Sequence, residues 1–222
     1  MNTAADHDFP AARSSLLVLG ATGGTGRLIV RQALARGHDV TALVRSPEKG
    51  RDLDGVRTVI GDARDEAVLR TALEGRDAVV SALGTPASPF REVTLLSAAT
   101  RALVSAMKAQ NVARLVCITG IGAGDSAGHG GFLFDRLILP LLLRRVYADK
   151  NRQEAIVRES GLDWTLVRPA VLNDKPGRGE VRALTDLSDH HGGTVSREDV
   201  ARFVLDQLGT SAWLNRSPLI TW

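Results

Sequence analysis

The chain contains one cysteine, one tyrosine and only four lysines among 222 residues. Each scarcity excludes something. With Cys117 alone there is no intrachain disulfide and no cysteine-rich metal site. It lies in the apolar run 115–118 and reads as a buried strand residue. Aromatic residues make up 4% of the chain, too few to support a stacking platform. The net charge is only +3 and no dense Lys/Arg run occurs, which excludes an electrostatic footprint for nucleic acid. The most apolar stretch, 132–143, is interrupted by Asp135, Arg136 and Pro140, so no membrane span is expected. Residues 1–13 lack the basic start and apolar core of a signal peptide and read as a flexible tail, giving a cytoplasmic expectation. The adjacent His190 and His191 lack the spacing and companion ligands of a metal site, and no metal is expected.

What is present is a regular alternation. Short β-rich runs at 15–20, 39–44, 56–61, 77–82, 113–119 and 163–168 are separated by helical patterns at 25–36, 65–74, 91–110 and 148–160. Strands alternating with helices mean right-handed βαβ units around a parallel sheet with both faces covered. The fold class expected is therefore α/β, a Rossmann-type doubly wound parallel sheet, with residues 14–222 forming one domain. A capping-box-like Ser196-Arg197-Glu198-Asp199 opens a further helix to about 208, and a closing strand is expected near 219–220. Residues 120–131 and 172–196 break the rhythm as loops, and 172–222 reads as a small C-terminal elaboration on the substrate side.

The first strand runs into Gly20-Ala21-Thr22-Gly23-Gly24-Thr25-Gly26, which opens the first helix. A strand turning through glycines into a helix is a phosphate-binding device, because the helix start offers unpaired N–H groups and a favourable dipole. Gly20 allows the tight turn, Gly23 admits a pyrophosphate to the backbone, and Gly26 lets the helix lie close to the strand. The residue closing the second strand then selects the dinucleotide. An NAD site places a carboxylate there, whereas this strand ends in Arg45-Ser46, with Asp39 too far back to reach a ribose. Arg45 presents a planar fork suited to a 2′-phosphate, Ser46 and Lys49 add donors, and NADPH is favoured over NADH. After the third strand, Asp62 and Ala63 offer an acceptor for the adenine amino group and backbone for the ring edge. Asp62 also reads as a helix cap. Ala82, Leu83 and Gly84 end the fourth strand, against the middle of the cofactor.

Together these motifs resemble the atypical short-chain dehydrogenase/reductase group that includes NmrA-like and flavin reductase/biliverdin reductase B-like members. The match rests on residues 20–26, Val44-Arg45, Gly61-Asp62-Ala63, the run 77–84, the segment from Lys150 to Glu154, and the run 159–169, in order over about 15–208. The resemblance implies that Thr119 and Gly120 lie beside the nicotinamide, that Lys150 bonds its ribose, and that Pro169, Ala170 and Val171 line its carboxamide side. Read from the residues alone, Lys150 is equally an exposed helix residue paired with Glu154 four positions on.

The departures from that group shape the chemistry. Catalytic members pair a tyrosine with a lysine four residues later, but Tyr147 precedes Lys150 by three. Three and four residues share a helix face, so Tyr147 stays a catalytic candidate with Thr119 and Lys150, although out of register. The serine common at the strand end is replaced by Thr119-Gly120. Without a strong proton donor, alcohol–ketone chemistry and epimerisation are disfavoured. Hydride transfer to a flavin, quinone or similar small conjugated acceptor remains, since a reduced acceptor of that kind takes its proton from water. The alternative is a non-catalytic NADP(H)-binding sensor. Phe132, Leu133, Phe134, Leu137, Ile138 and Leu139 read as a lid or acceptor wall, or as core, or as the contact of a homodimer. His129, in a glycine-rich stretch, reads as a solvated loop residue or an acid reaching substrate.

Overall fold

The computed structural model describes residues 13–88 and 90–222, so the expected tail lies outside the described residues apart from Arg13. Among the described residues, ten strands and six α-helices follow in chain order: β1 (Ser15–Leu19), α1 (Gly24–Ala35), β2 (Asp39–Val44), α2 (Pro47–Gly50), β3 (Arg57–Ile60), α3 (Glu66–Leu73), β4 (Ala78–Ser81), α4 (Leu95–Ala109), β5 (Arg114–Ile118), α5 (Arg144–Arg158), β6 (Asp163–Pro169), β7 (Val171–Asn173), β8 (Arg182–Leu184), β9 (Thr194–Ser196), α6 (Arg197–Asp206) and β10 (Leu219–Thr221). Eight of the strands form one sheet in the order β3-β2-β1-β4-β5-β6-β10-β8. All neighbours in it are parallel except β10 with β8. This is the Rossmann-like doubly wound arrangement, and its strand order reverses between β1 and β4.

Strand alternation divides the core in two. Leu16 and Val18 of β1, Val40 and Ala42 of β2, and Val80 of β4 face α1 and α6, meeting Ile29, Ala33, Val200 and Val204. Leu17, Leu19, Leu43 and Val79 point the other way, onto α3 and α4 through Leu69, Leu73, Leu103 and Met107. Cys117 is fully buried in that second layer. Burial pushes its thiol up to about 12, so it is inert packing.

Two differences from the expected elements have local causes. The helix expected over 91–110 begins only at Leu95. Its entry is set by a carboxylate from another helix: Asp149 of α5 accepts from the Leu96 and Ser97 amides at 2.8 and 3.3 Å. The helix expected over 148–160 begins earlier, at Arg144, fed by wide π-helical turns over Phe134–Leu143. Pro140 inside them cannot donate to a helical ladder, which accompanies the widening. The region 172–196, expected to be loop, contributes β7, β8 and β9, each too short to show a period.

Asp149 is fully buried and serves as the cap of α4. Asp149→Ala therefore leaves two helix-start amides without their acceptor and should lower stability by about 2 kcal/mol. Asp149→Asn keeps an acceptor and should lose distinctly less. Denaturant midpoints of the two variants check this, and equal midpoints would contradict the capping role.

Candidate functional site

The glycine-rich turn sits where β1 and β4 end side by side. Gly20 has φ +76°, and a β-carbon there would run into the Ala82 carbonyl. A β-carbon on Gly26 would strike the Gly20 carbonyl, so α1 can approach β1 only as glycine. The Gly23 amide donates to Gly20 O at 3.0 Å, and Arg27 N to Gly23 O at 2.9 Å, which starts the helix. Among the described residues, no side chain caps α1. Gly23 and Gly24 are exposed, with Thr22 and Thr25 half-buried beside them. The result is an open, uncapped helix start with backbone on its surface, which fits a diphosphate.

At the end of β2, Arg45 is exposed and Ser46 leads into α2. Asp62 and Ala63 follow β3, both half-buried. The Asp62 carboxylate accepts from the Arg64 amide at 2.9 Å and from its guanidinium, which hold it down to about 2, with a smaller contribution from Arg45. The alternative reading of Asp62 as a helix cap is corrected. Asp65 caps α3, accepting from the Ala67 and Val68 amides, because only Asp65 immediately precedes the helix. Asp39, at the far end of β2, pairs with Arg76 at 2.7 Å.

Ala82, Leu83 and Gly84 follow β4, Thr119 and Gly120 follow β5, and Ala170 links β6 to β7, with Val171 exposed. Lys150 Nζ donates to the Thr119 carbonyl at 2.7 Å and lies 4.9 Å from the Tyr147 ring centre. A β-carbon on Gly120 would stand 3.0 Å from Lys150 Nζ and 3.5 Å from the Tyr147 hydroxyl. Thr119, Gly120, Tyr147 and Lys150 are thus one cluster. Burial lowers the Lys150 ammonium to about 8.

The Lys150–Glu154 pairing is not what this helix forms. Glu154 is 2% exposed and turned to the sheet. It accepts from Arg168 Nε at 3.0 Å and from the Thr119 hydroxyl at 2.7 Å. Arg168, also 2% exposed, bonds Asp125 as well. The sequence does not announce this pair; its one signal is Arg168 inside a strand run, 164–169, that carries no other charge. The hydroxyls are committed too. Tyr147 donates to Ile121 O at 2.9 Å, and burial, with Asp135 adding, pushes its phenol up to about 12.

The glycine-rich loops are tied rather than free. Gly192 N donates to His129 O at 2.7 Å, and the His129 and His191 rings stack at 5.5 Å. His129 is therefore not a solvated loop residue, because the 190–193 loop folds over it. The core reading of 132–139 also falls: Phe132 is 79% exposed, Leu133 and Leu137 are exposed, and no residue of Phe134–Leu143 is buried. Phe134 meets the Tyr147 ring edge-on at 5.8 Å and lies against Gly122.

A doubly wound sheet with an uncapped glycine-rich helix start at its strand reversal defines a dinucleotide-binding protein. The chain belongs to the NAD(P)H-binding family, whose model matches residues 20–211. It is 28% identical over 209 residues to an "uncharacterized sugar epimerase YhfK" of Bacillus subtilis, covering 91% of each chain. It is 35% identical over 156 residues to an NAD(P)H azoreductase of Xenophilus azovorans, covering 69% of this chain and 47% of that one. Its fold matches the anaerobillin reductase ChuY of Escherichia coli O157:H7 with a TM-score of 0.80 at 23% identity, over 94% of this chain and 97% of that one. No helix among the described residues is long and apolar enough to cross a membrane.

The lowered Lys150 gives a pH signature. Between about 8 and 10.5 the unfolded lysine holds a proton that the folded one has released, so this group's contribution to stability rises with pH. Cys117 and Tyr147, both pushed up to about 12, act in the opposite sense above about pH 9 and 10. They are common to wild type and Lys150→Met. The stability difference, wild type minus variant, should therefore climb from pH 7.5 to pH 10 in melting curves. A flat difference would contradict the buried-ammonium assignment.

Proposed function

We propose that the protein is an NADPH-dependent reductase delivering hydride to a flavin, quinone or similar small conjugated acceptor. The observation that carries this reading is the commitment of both hydroxyl protons near Lys150, Tyr147 to Ile121 O and Thr119 to Glu154. Among the described residues, the carboxyl that the Thr119 hydroxyl meets, Glu154, is itself paired with Arg168. That suits an acceptor which is electron-poor and protonates from water, and it suits neither a ketone nor a sugar epimerisation. The names of the azoreductase and anaerobillin reductase relatives agree with reduction of conjugated molecules.

On this reading the bound nicotinamide supplies the hydride. The chain's part is positional. Thr22, Gly23, Gly24 and Thr25 hold the diphosphate, and Arg45 with Ser46 grips the 2′-phosphate. Asp62 and Ala63 meet the adenine, and Ala82, Leu83 and Gly84 support the middle. Lys150, which bonds the Thr119 carbonyl, would hold the nicotinamide ribose, and Gly120, Pro169, Ala170 and Val171 would line the ring. Tyr147 and Phe134 supply an apolar wall that excludes water from the acceptor side.

Oxidation of NADPH against a panel of flavins, quinones and azo dyes tests the reading, and turnover above background with at least one class is expected. Tyr147→Phe should keep activity within about threefold, because the phenol is not a proton source. A loss of a hundredfold, about 2.7 kcal/mol, would instead make it one. Tight dinucleotide binding with background turnover for every acceptor would favour the sensor alternative.

Cofactor preference has its own check. Arg45→Asp places a carboxylate where the 2′-phosphate would lie and should weaken NADPH by about tenfold or more while sparing NADH. Calorimetric dissociation constants for both coenzymes measure this, and an unchanged ratio would remove Arg45 from the site.

A further inference from the structure

The glycine-rich loop has a neighbour from the far end of the chain. Arg197 is the first residue of α6, and Gly24 is the first residue of α1. The two helices lie against each other in the same direction, with Gly24 beside Arg197 at their starts and Arg36 bonded to Asp206 at 2.7 Å at their ends. The Arg197 side chain crosses the loop so closely that its Cδ and Nε would each be 3.1 Å from a β-carbon on Gly24. Glycine at the start of α1 thus leaves the space that the arginine uses. The guanidinium is held from outside by one exposed carboxylate, with Nη1 2.8 Å from Asp174 Oδ1.

The two helix starts themselves work against this placement, and the Asp174 carboxylate offsets them. The first turn of a helix disfavours a cation. Here a guanidinium stands at the first residue of one helix and over the first residue of another. The guanidinium has no acceptor and cannot cap the α6 start, where Ser196 Oγ accepts from the Asp199 amide at 3.0 Å. A negatively charged group on the loop reverses the balance. The planar fork can then make charge-assisted hydrogen bonds to phosphate oxygens on the side opposite the α1 amides.

We infer that Arg197 is a further dinucleotide-binding residue, a clamp from the C-terminal part of the chain that closes over the diphosphate bound at Gly23-Gly24. The inference deepens the proposed function and rests on its reading of the glycine loop. Asp174 acts as the holder that keeps the side chain extended over the loop before the ligand arrives.

Calorimetric titration of the full chain tests it with two ligands, NADPH and adenosine 2′-monophosphate, which carries the 2′-phosphate but no diphosphate. Arg197→Gln should weaken NADPH about tenfold and leave adenosine 2′-monophosphate within twofold. Arg197→Lys, which keeps the charge but loses the fork, should fall between. Asp174→Asn removes the holder without removing the clamp and should bind NADPH within about threefold of wild type. Denaturant midpoints confirm that each variant is folded. The clamp is overturned if Arg197→Gln binds NADPH like wild type or weakens both ligands equally. It is also overturned if Asp174→Asn reproduces the full loss, which would make the ion pair, not the phosphate contact, the operative feature. Wild-type protein that binds neither ligand would refute the dinucleotide reading itself, and the clamp with it.

Discussion

The ends of β1 and β4 meet at a point with no room for a side chain. Gly20 lies against the Ala82 carbonyl, and Gly26 lies against Gly20. The placement of the glycine-rich turn at the carboxyl edge of the sheet follows from that contact. It brings the start of α1 down onto the strand ends and leaves the helix uncapped. It also fixes where any group from a later strand can stand relative to the loop. A β-carbon at Gly20 or Gly26 would separate helix from strand and dissolve the cradle without touching a single ligand-facing atom.

A second constraint holds the other side of the site. Burying Glu154 and Arg168 costs solvation that only close pairing offsets, and each has that pairing on several oxygens and nitrogens. The pair links α5 to β6, and the Thr119 hydroxyl ties the end of β5 into the same carboxylate. With Glu154 pinned to the sheet, the faces of α5 are set. Lys150 and Tyr147, one and two turns earlier, face the end of β5. Asp149 and Gln153 face α4, where they meet the Leu96 amide and the Thr100 hydroxyl. One buried ion pair thereby orients both the cap of α4 and the lysine of the site.

Sequence legibility tracked the range of the interaction. The alternation of strands and helices, the glycine turn and the helix from Arg197 are readable because each depends on local period or on residues a few positions apart. Contacts between distant residues were not. Nothing near Glu154 announces Arg168, nothing near Leu95 announces Asp149, and Gly24 gives no sign of Arg197. For the apolar stretch 132–139 only the core alternative fails, since leucine density marks a core only when something covers it. His129 misled in the opposite direction, because glycine neighbours suggest freedom while the 190–193 loop supplies its partners.

The committed hydroxyls and the lysine belong together physically. A buried phenol must place its proton on some acceptor, and Tyr147 has a backbone carbonyl within reach at Ile121. That bond favours the neutral phenol, as does the low-polarity surrounding, so the same burial that raises Tyr147 lowers Lys150. In a tyrosine–lysine couple the ammonium must stay charged beside the phenol to ease its ionisation. Here Lys150, lowered to about 8, stays largely charged at neutral pH but gives one of its N–H donors to the Thr119 carbonyl, while the Tyr147 hydroxyl gives its proton to Ile121 O. A site built this way is poor at passing protons and well suited to holding a ring and a ribose in place. The proposed chemistry therefore follows from where the protons already are.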